Sequence, residues 1–491
     1  IAQRPMEKSL SSRALTTLSS NLGRIVEGNP EVLISPQFRN TEDSVLQKWV
    51  QSTLSKYDLT PKLLELENAN LAKFGPRSIA KPWSERRESL EEYFNHGNSP
   101  YSLSDSLHSV HLGWGATTTL RPVSPENARK RFIASSSSGL PELVRKSRIK
   151  ATTDELMDQA GDFPAMLYTR TQEERKTRNV WGFPASDTLR ELRFYIPFQN
   201  YEKDLPFRAA LHGPDVVDQA ITNLLLRMED DLSVIAVDFT AFDASVKPER
   251  AINAFHHIAQ KFQSSYWDEL NDLCTRFLTI PISTPDGIYT GVHGVPSGSV
   301  FTNTVDSLVQ YGIIDNWVDA QIQGDDGVYT VPTNGVDEFL ARFTNHGLKL
   351  NESKTFVTRE KETIYLQRYY HPKFRSVDSK RRLGGVYPIA RALLRLKYLE
   401  RFTDFEKWEI TAEDFFSLRA IMILENCKHH PAHSELVNYV YSLDKYGLTY
   451  RSKAVTAYSK MLKAKVDAGV YSGELMKGIK QFRTMKILST L

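Results

Sequence analysis

At 491 residues, with 41% hydrophobic and 25% charged residues, the chain is long enough for about three lobes of ~150 residues and has an ordinary globular composition. A formal net charge of +3 excludes a bulk polycation. Its two cysteines, Cys274 and Cys427, have no CxxC spacing, which argues against a disulfide framework or a zinc site and for a reducing compartment.

No run approaches the roughly 18 apolar residues of a membrane span. The opening "IAQRPMEKSL" lacks a signal-peptide core, so a soluble intracellular protein is expected. The first hundred residues mix short helical stretches, such as "EDSVLQKWVQSTLSKY", with Pro and Asn punctuation. They read as an irregular extension wrapped around something larger. Residues 135–206 are loop-rich, basic and aromatic, and include the short run "SSSSG" and the stretch "RKTRNVWGFP". From Val216 the pattern tightens. "VVDQAITNLLLRM" is an amphipathic helix and "SVIAVDF" a short buried strand. "PERAINAFHHIAQKF" is a helix with Pro248 near its start, where a missing N–H does no harm. "SVFTNTVDSLVQYGIIDNWV" is another helix. "AQIQGDDGVYTV" is two strands around a turn, and "VDEFLARFTNHGL" a helix with Gly347 at its end. Beyond "KETIYLQRYY" the chain is mainly helical.

Strand, helix, helix, hairpin, helix, strand is an α+β order. No GxGxxG or GxxxxGK[ST] occurs, so dinucleotide and Walker-type phosphate binding have no support. Asp238 ends a buried strand, where a carboxylate points into a cleft. Asp325 and Asp326 sit in "QGDDGVYT", whose Asp-Gly pair is also a common hairpin turn. Between them "GVPSGSVFTN" leads a Gly/Ser/Pro loop into a helix, a good cradle for phosphate. Two acidic turns flanking such a cradle suit nucleotidyl transfer, in which two divalent ions about 3.5–4 Å apart serve the attacking hydroxyl and the leaving pyrophosphate. Magnesium takes hard oxygen ligands, and manganese substitutes for it.

"DFTAFD", "PSGSVFTN" and "GDD" resemble motifs A, B and C of viral RNA-dependent RNA polymerases. The nearest likeness is to those of bisegmented double-stranded RNA viruses, picobirnaviruses first and partitiviruses second. The resemblance implies a right-hand fold of fingers, palm and thumb with an antiparallel palm sheet. It implies Asp238 and Asp325 as metal ligands, Asp326 supporting them, and Asp243 sensing the ribose 2′-hydroxyl. Ser297 and Gly298 would form the mobile loop, and Thr302 matches the family's threonine. The family's usual Asn falls at Asp306; either Asp306 or Asn303, which lies next to Thr302, partners Asp243, with Asn303 preferred. Arg175, Lys176 and Arg178 resemble motif F, which holds the triphosphate. Strand alternation would point Lys176 and Arg178 the same way. Ser138 and Gly139 lie in a stretch like the template-guiding motif G. Lys354, in "GLKLNESKTFV", aligns with the lysine that protonates departing pyrophosphate, with Lys349 as a nearby competitor. Arg368 would touch RNA from motif E, and Arg391 and Arg395 from a cationic thumb helix.

The implied layout is an extension over 1–100 bridging fingers and thumb, fingers over 101–215 with part of 250–290, and palm over 216–370. Thumb and a basic tail follow over 371–491. From Arg451 onward nine Lys or Arg face two acids, which suggests a nearby polyanion. Expected partners are template and product RNA, nucleoside triphosphates and a viral capsid protein, with no membrane; the expected location is the virion interior and host cytoplasm. The alternatives are a non-catalytic RNA-binding protein of the same fold and a reverse transcriptase-like enzyme.

Overall fold

The computed structural model describes residues 9–96, 119–314, 319–402, 410–444, 448, 456, 459–460 and 478–491. The chain opens with helices α1 (Ser12–Glu27), α2 (Asp43–Leu54), α3 (Pro61–Ala72) and α4 (Trp83–Glu91). Their starts follow capping chemistry: the Ser11 and Thr60 hydroxyls accept from Ala14 and Leu63 N–H, and Pro61 takes a first-turn position. Strands β1 (Ala165–Thr171) and β2 (Thr177–Gly182) form a hairpin, followed by α5 (Ala185–Glu202) and α6 (Pro214–Leu226). Next come β3 (Leu232–Val237), α7 (Pro248–Gln260) and α8 (Trp267–Thr279). A small hairpin, β4 (Ile282–Thr284) and β5 (Gly287–Tyr289), precedes α9 (Thr302–Ile313). Hairpin β6 (Asp319–Gln323) and β7 (Asp326–Pro332), helix α10 (Val336–Asn345) and β8 (Phe356–Thr358) follow. Last are β9 (Thr363–Tyr365), β10 (Arg368–Tyr370), α11 (Ile389–Lys397), α12 (Ala412–Glu425), α13 (His433–Leu443) and α14 (Arg483–Leu488).

The central sheet has the order β6-β7-β3-β8, with each neighbouring pair antiparallel. Both faces of β3 are covered, which explains its apolar run from Val234 to Val237. Ile235 and Val237 pack with Phe255 of α7 and Val305 of α9, while Val234 and Ala236 pack with Ile221 and Leu225 of α6. A second, mixed sheet runs β2-β1-β4-β5, with β1 and β4 parallel. Trp83 and Leu90 of α4 cover it against Leu167 and Trp181. Helices α2 and α3 bury Leu46, Val50 and Leu71 elsewhere, against Leu393, Ile421 and Val437 of α11, α12 and α13. The N-terminal helices thus touch both the mixed sheet and the C-terminal helices.

The β6–β7 turn is one step from where the Asp-Gly pair suggests. Gln323 pairs with Asp326, so Gly324 and Asp325 are the two turn residues and Gly327 is already in β7. Gly324 has φ +63 and Asp325 does not have positive φ, the pattern of a II′ hairpin with glycine first. Most of the basic stretch from Arg451, including Lys453, Lys463, Lys465 and Lys477, lies outside the described residues, as do 315–318 of the expected helix end.

Candidate active site

Register brings the acids together. Val237 pairs with Gly327, so continuing the β3–β7 ladder sets Asp238 opposite Asp326, beside the turn that carries Asp325. The Asp238 backbone is pinned on its other side: its N–H donates to Thr355 Oγ1 (3.2 Å) and its carbonyl accepts from Asn351 N–H (2.8 Å). Burial, then the neighbouring charge of Asp325, pushes the Asp238 carboxyl up, against the pull of Lys354 and Lys176 and a hydrogen bond from Asn351. Asp326 is pushed up to about 7 by burial, Asp325 and Asp238. Lys176 is pushed down by burial and by the charges of Arg178 and Lys354. Lys176, Arg178 and Lys354 are therefore gathered at the three carboxylates.

Arg175 is not. Glu174 and Arg175 both take positive φ at the β1–β2 turn, and Arg175 turns outward to Glu85 (3.7 Å).

After β3, Ala241 in the left-handed region (φ 48°, ψ 52°) reverses the chain and swings Asp243 back toward α9. The partner of Asp243 is Asp306, a correction to the preference for Asn303. The two carboxyls share a hydrogen bond; burial raises Asp243, and burial with the Asp243 charge raises Asp306 well above the carboxylate range. Two such groups side by side hold a proton between them. Asn303 is taken elsewhere: its Oδ1 accepts from Arg208 Nη2 at 2.7 Å. The Tyr93 ring, which the sequence reading passed over, completes this corner. Its hydroxyl is pushed up by burial and by the charges of Asp243 and Asp306.

The loop before α9 is bonded down. Ser297 Oγ accepts from Trp181 N–H (3.3 Å), Thr302 Oγ1 donates to Pro296 O (2.7 Å), and Gly298 lies flat on the Trp181 carbonyl. Glu191 of α5, also missed, is a buried carboxyl accepting from Ser299 Oγ and from Val300 N–H (3.3 Å). Burial raises it to about 8. Serine and threonine in this loop therefore hold it in shape.

All five residues expected at RNA have partners within the protein. Ser138 is only 3% exposed, its Oγ accepts from Val144 N–H (3.1 Å), and Gly139 is buried beside it. The open face of that loop is Ser135 and Ser137, which with Arg13, Arg145, Arg148 and Tyr168 line a groove of about 570 Å³. Arg391 donates to Glu173 Oε1 (3.2 Å) at the β1–β2 turn, where Arg77 also meets Glu173 (3.6 Å), so it ties α11 to that turn. Arg395 donates to the Tyr387 hydroxyl (3.0 Å), and Arg368 to Asn426 Oδ1 (3.2 Å).

Among the described residues no three His, Cys, Asp or Glu side chains close a metal cage by themselves. Asp238, Asp325 and Asp326 instead form an open set of hard oxygen donors that repel one another. That chemistry fits a divalent cation whose shell is completed by water and substrate phosphate. Among the described residues no helix is long and apolar enough to cross a membrane.

The sequence profile of the viral RNA-dependent RNA polymerases matches residues 165–384. A potential RNA-dependent RNA polymerase of human picobirnavirus is 28% identical over 464 residues, covering 87% of this chain and 85% of that one. An RNA-directed RNA polymerase of Cryptosporidium parvum virus 1 is 33% identical over 245 residues, 45% of this chain and 46% of that one. The crystal structure of a human picobirnavirus RNA-dependent RNA polymerase superposes with a TM-score of 0.84 at 24% identity, over 100% of this chain and 99% of that one. Its insertion-loop deletion mutant gives 0.82. The fold is the right-hand polymerase fold.

Proposed function

From a chain that belongs to the viral RNA-dependent RNA polymerases, we propose that it replicates and transcribes a double-stranded RNA genome by a two-metal mechanism. The observation that carries this reading is the convergence of Asp238, Asp325 and Asp326 at one sheet end with Lys176, Arg178 and Lys354. The 3′-hydroxyl oxygen of the growing strand attacks the α-phosphorus, a new P–O bond forms, and the bond to pyrophosphate breaks. Asp238 and Asp325, with Asp326 in support, would hold two Mg²⁺ ions, or Mn²⁺ in their place, which when bound would acidify the hydroxyl and neutralise charge at the leaving group. Lys176 and Arg178 hold the triphosphate. Lys354 gives its proton to the departing pyrophosphate, a step worth roughly 10²- to 10⁴-fold. Asp243 and Asp306 receive the ribose 2′-hydroxyl; their shared hydrogen bond and the charge of Asp325 acting on both support this role.

We read 216–370 as palm, 101–215 with part of 250–290 as fingers, and 371–491 as thumb. The first hundred residues bridge fingers and thumb, a reading supported by the division of α1–α4 between the mixed sheet and the C-terminal helices. Template RNA runs along the groove of Arg13, Arg145 and Arg148. From the family we infer work in the host cytoplasm and the virion interior beside the capsid protein. The test is Asp325→Ala in nucleotide incorporation on an RNA template. A folded variant is expected to lose incorporation; one that elongates like the wild type would overturn the reading.

A further inference from the structure

Behind the hairpin lies a buried guanidinium. Arg208, in the connection between α5 and α6, is 1% exposed. Its Nε donates to Glu202 Oε1 of α5 (3.1 Å). Its Nη1 donates to Ser307 Oγ of α9 (2.8 Å), to the Ile322 carbonyl (3.0 Å) and to Gln323 Oε1 of β6 (2.6 Å). Its Nη2 donates to Asn303 Oδ1 (2.7 Å). The acceptors are themselves tied. Glu202 Oε2 accepts from Thr304 Oγ1 (2.9 Å), and Ser307 Oγ accepts from the N–H of Gly324 (2.9 Å), the first turn residue. From the same helix Gln310 Nε2 donates to the Gly324 carbonyl (2.7 Å).

These bonds bear on chemistry as well as on packing. Gly324 is held at both its N–H and its carbonyl by α9, and the next residue is Asp325. At its N-terminal end α9 continues the loop of Ser297 and Gly298. A buried ion pair is weak evidence of stability, since apolar side chains of equal volume often serve as well. What an apolar group lacks is the planar fork of five N–H donors that meets acceptors on three elements at fixed angles.

We propose that Arg208 is a positioning residue for nucleotidyl transfer, fixing the hairpin that carries Asp325 against α9 and the Ser297–Gly298 loop. The metal carboxylate and the loop then keep one geometry through the catalytic cycle. This rests on the polymerase reading above.

The experiment is single-nucleotide incorporation by the full chain with Arg208→Lys, measured against Mg²⁺ and nucleotide concentration, beside the melting temperature. Lysine keeps the charge but not the fork. Misplacing a reacting group by about 1 Å can cost roughly 100-fold, so kcat is expected to fall about 10- to 100-fold and half-saturating Mg²⁺ to rise several-fold. The nucleotide KM stays near wild type, because Lys176 and Arg178 are untouched. Gln323→Ala, which removes one acceptor on the hairpin, shifts the Mg²⁺ dependence in the same direction and decides the matter if Arg208→Lys does not fold. A variant with wild-type rate and Mg²⁺ dependence but a lower melting temperature would make Arg208 structural and overturn the inference. A wild-type protein without incorporation would instead overturn the polymerase reading itself.

Discussion

Glu191 shows how one buried carboxyl couples protonation to the shape of a working loop. Its pKa stands at about 8, against an ordinary 4.5, because burial outweighs the bonds from Ser299 and Val300. The folded protein therefore binds a proton that the unfolded chain has released between those values. Stability from this group is fully present below about 4.5 and is lost as pH rises toward about 8. Asp187 on the same helix adds to the upward push, and Arg276 of α8 opposes it. Glu191→Gln keeps an acceptor for Val300 and cannot ionise. It is expected to melt higher than wild type above pH 8 and to flatten the decline from 4.5 to 8, as read by thermal melts across pH. An unchanged pH profile would show that Glu191 does not carry this proton. Asp306 belongs to the same scale. The sequence alone offered two candidates to partner Asp243, and only the packing of Arg208 on Asn303 chose between them.

The loop before α9 is tightest at the element scale. A Cβ on Gly298 would fall inside the carbonyl oxygen of Trp181 in β2, so any side chain there must lift the loop off the strand. Gly298→Ala is expected to lower elongation by at least about 10-fold, consistent with the cost of misplacing groups around a reacting centre. The effect on melting should be small, since loops open locally at little global cost. Wild-type elongation by a folded Gly298→Ala would mean the loop does not need this contact. The hairpin is a second case. Its two strands follow from alternation, but the turn falls at Gly324–Asp325, because the β3–β7 ladder and the bonds from Ser307 and Gln310 fix the register.

Across the whole molecule, charge is placed and not merely summed. A net charge of +3 conceals a groove lined by Arg13, Arg145 and Arg148 with no acid among its lining residues. Single-stranded RNA binding loses about 0.7 in log–log salt slope per phosphate contact released. Replacing the three arginines with glutamine is therefore expected to reduce the slope by about 2, measured by fluorescence anisotropy of a labelled single strand. A control that removes Arg39, Lys48 and Lys56, which lie elsewhere, should leave it unchanged. Equal slopes for groove variant and wild type would take the groove out of the RNA path. The latch at Glu173, held by Arg391 and Arg77, sits at the same scale: a cation of α11 is tied to the β1–β2 turn.

The sequence by itself determined the order of the central elements and picked out Asp238, Asp325 and Asp326, the carboxylates that the fold gathers. Local patterning and motif spacing report what each segment does, and Asp238, Asp325, Lys176, Arg178 and Lys354 each sit at a recognisable segment end. It could not determine which polar side chains face each other across elements. Arg208, Glu191 and Tyr93 lie in segments with no motif, and apart from Glu202 beside Arg208 the partners described above are about 100 or more residues away in the chain. Ser138 and Ser137 are neighbours of one residue type, yet one is buried and the other lines a groove. Only tertiary packing decides such matters, because burial and hydrogen-bond partnership are properties of the surroundings a side chain is folded into.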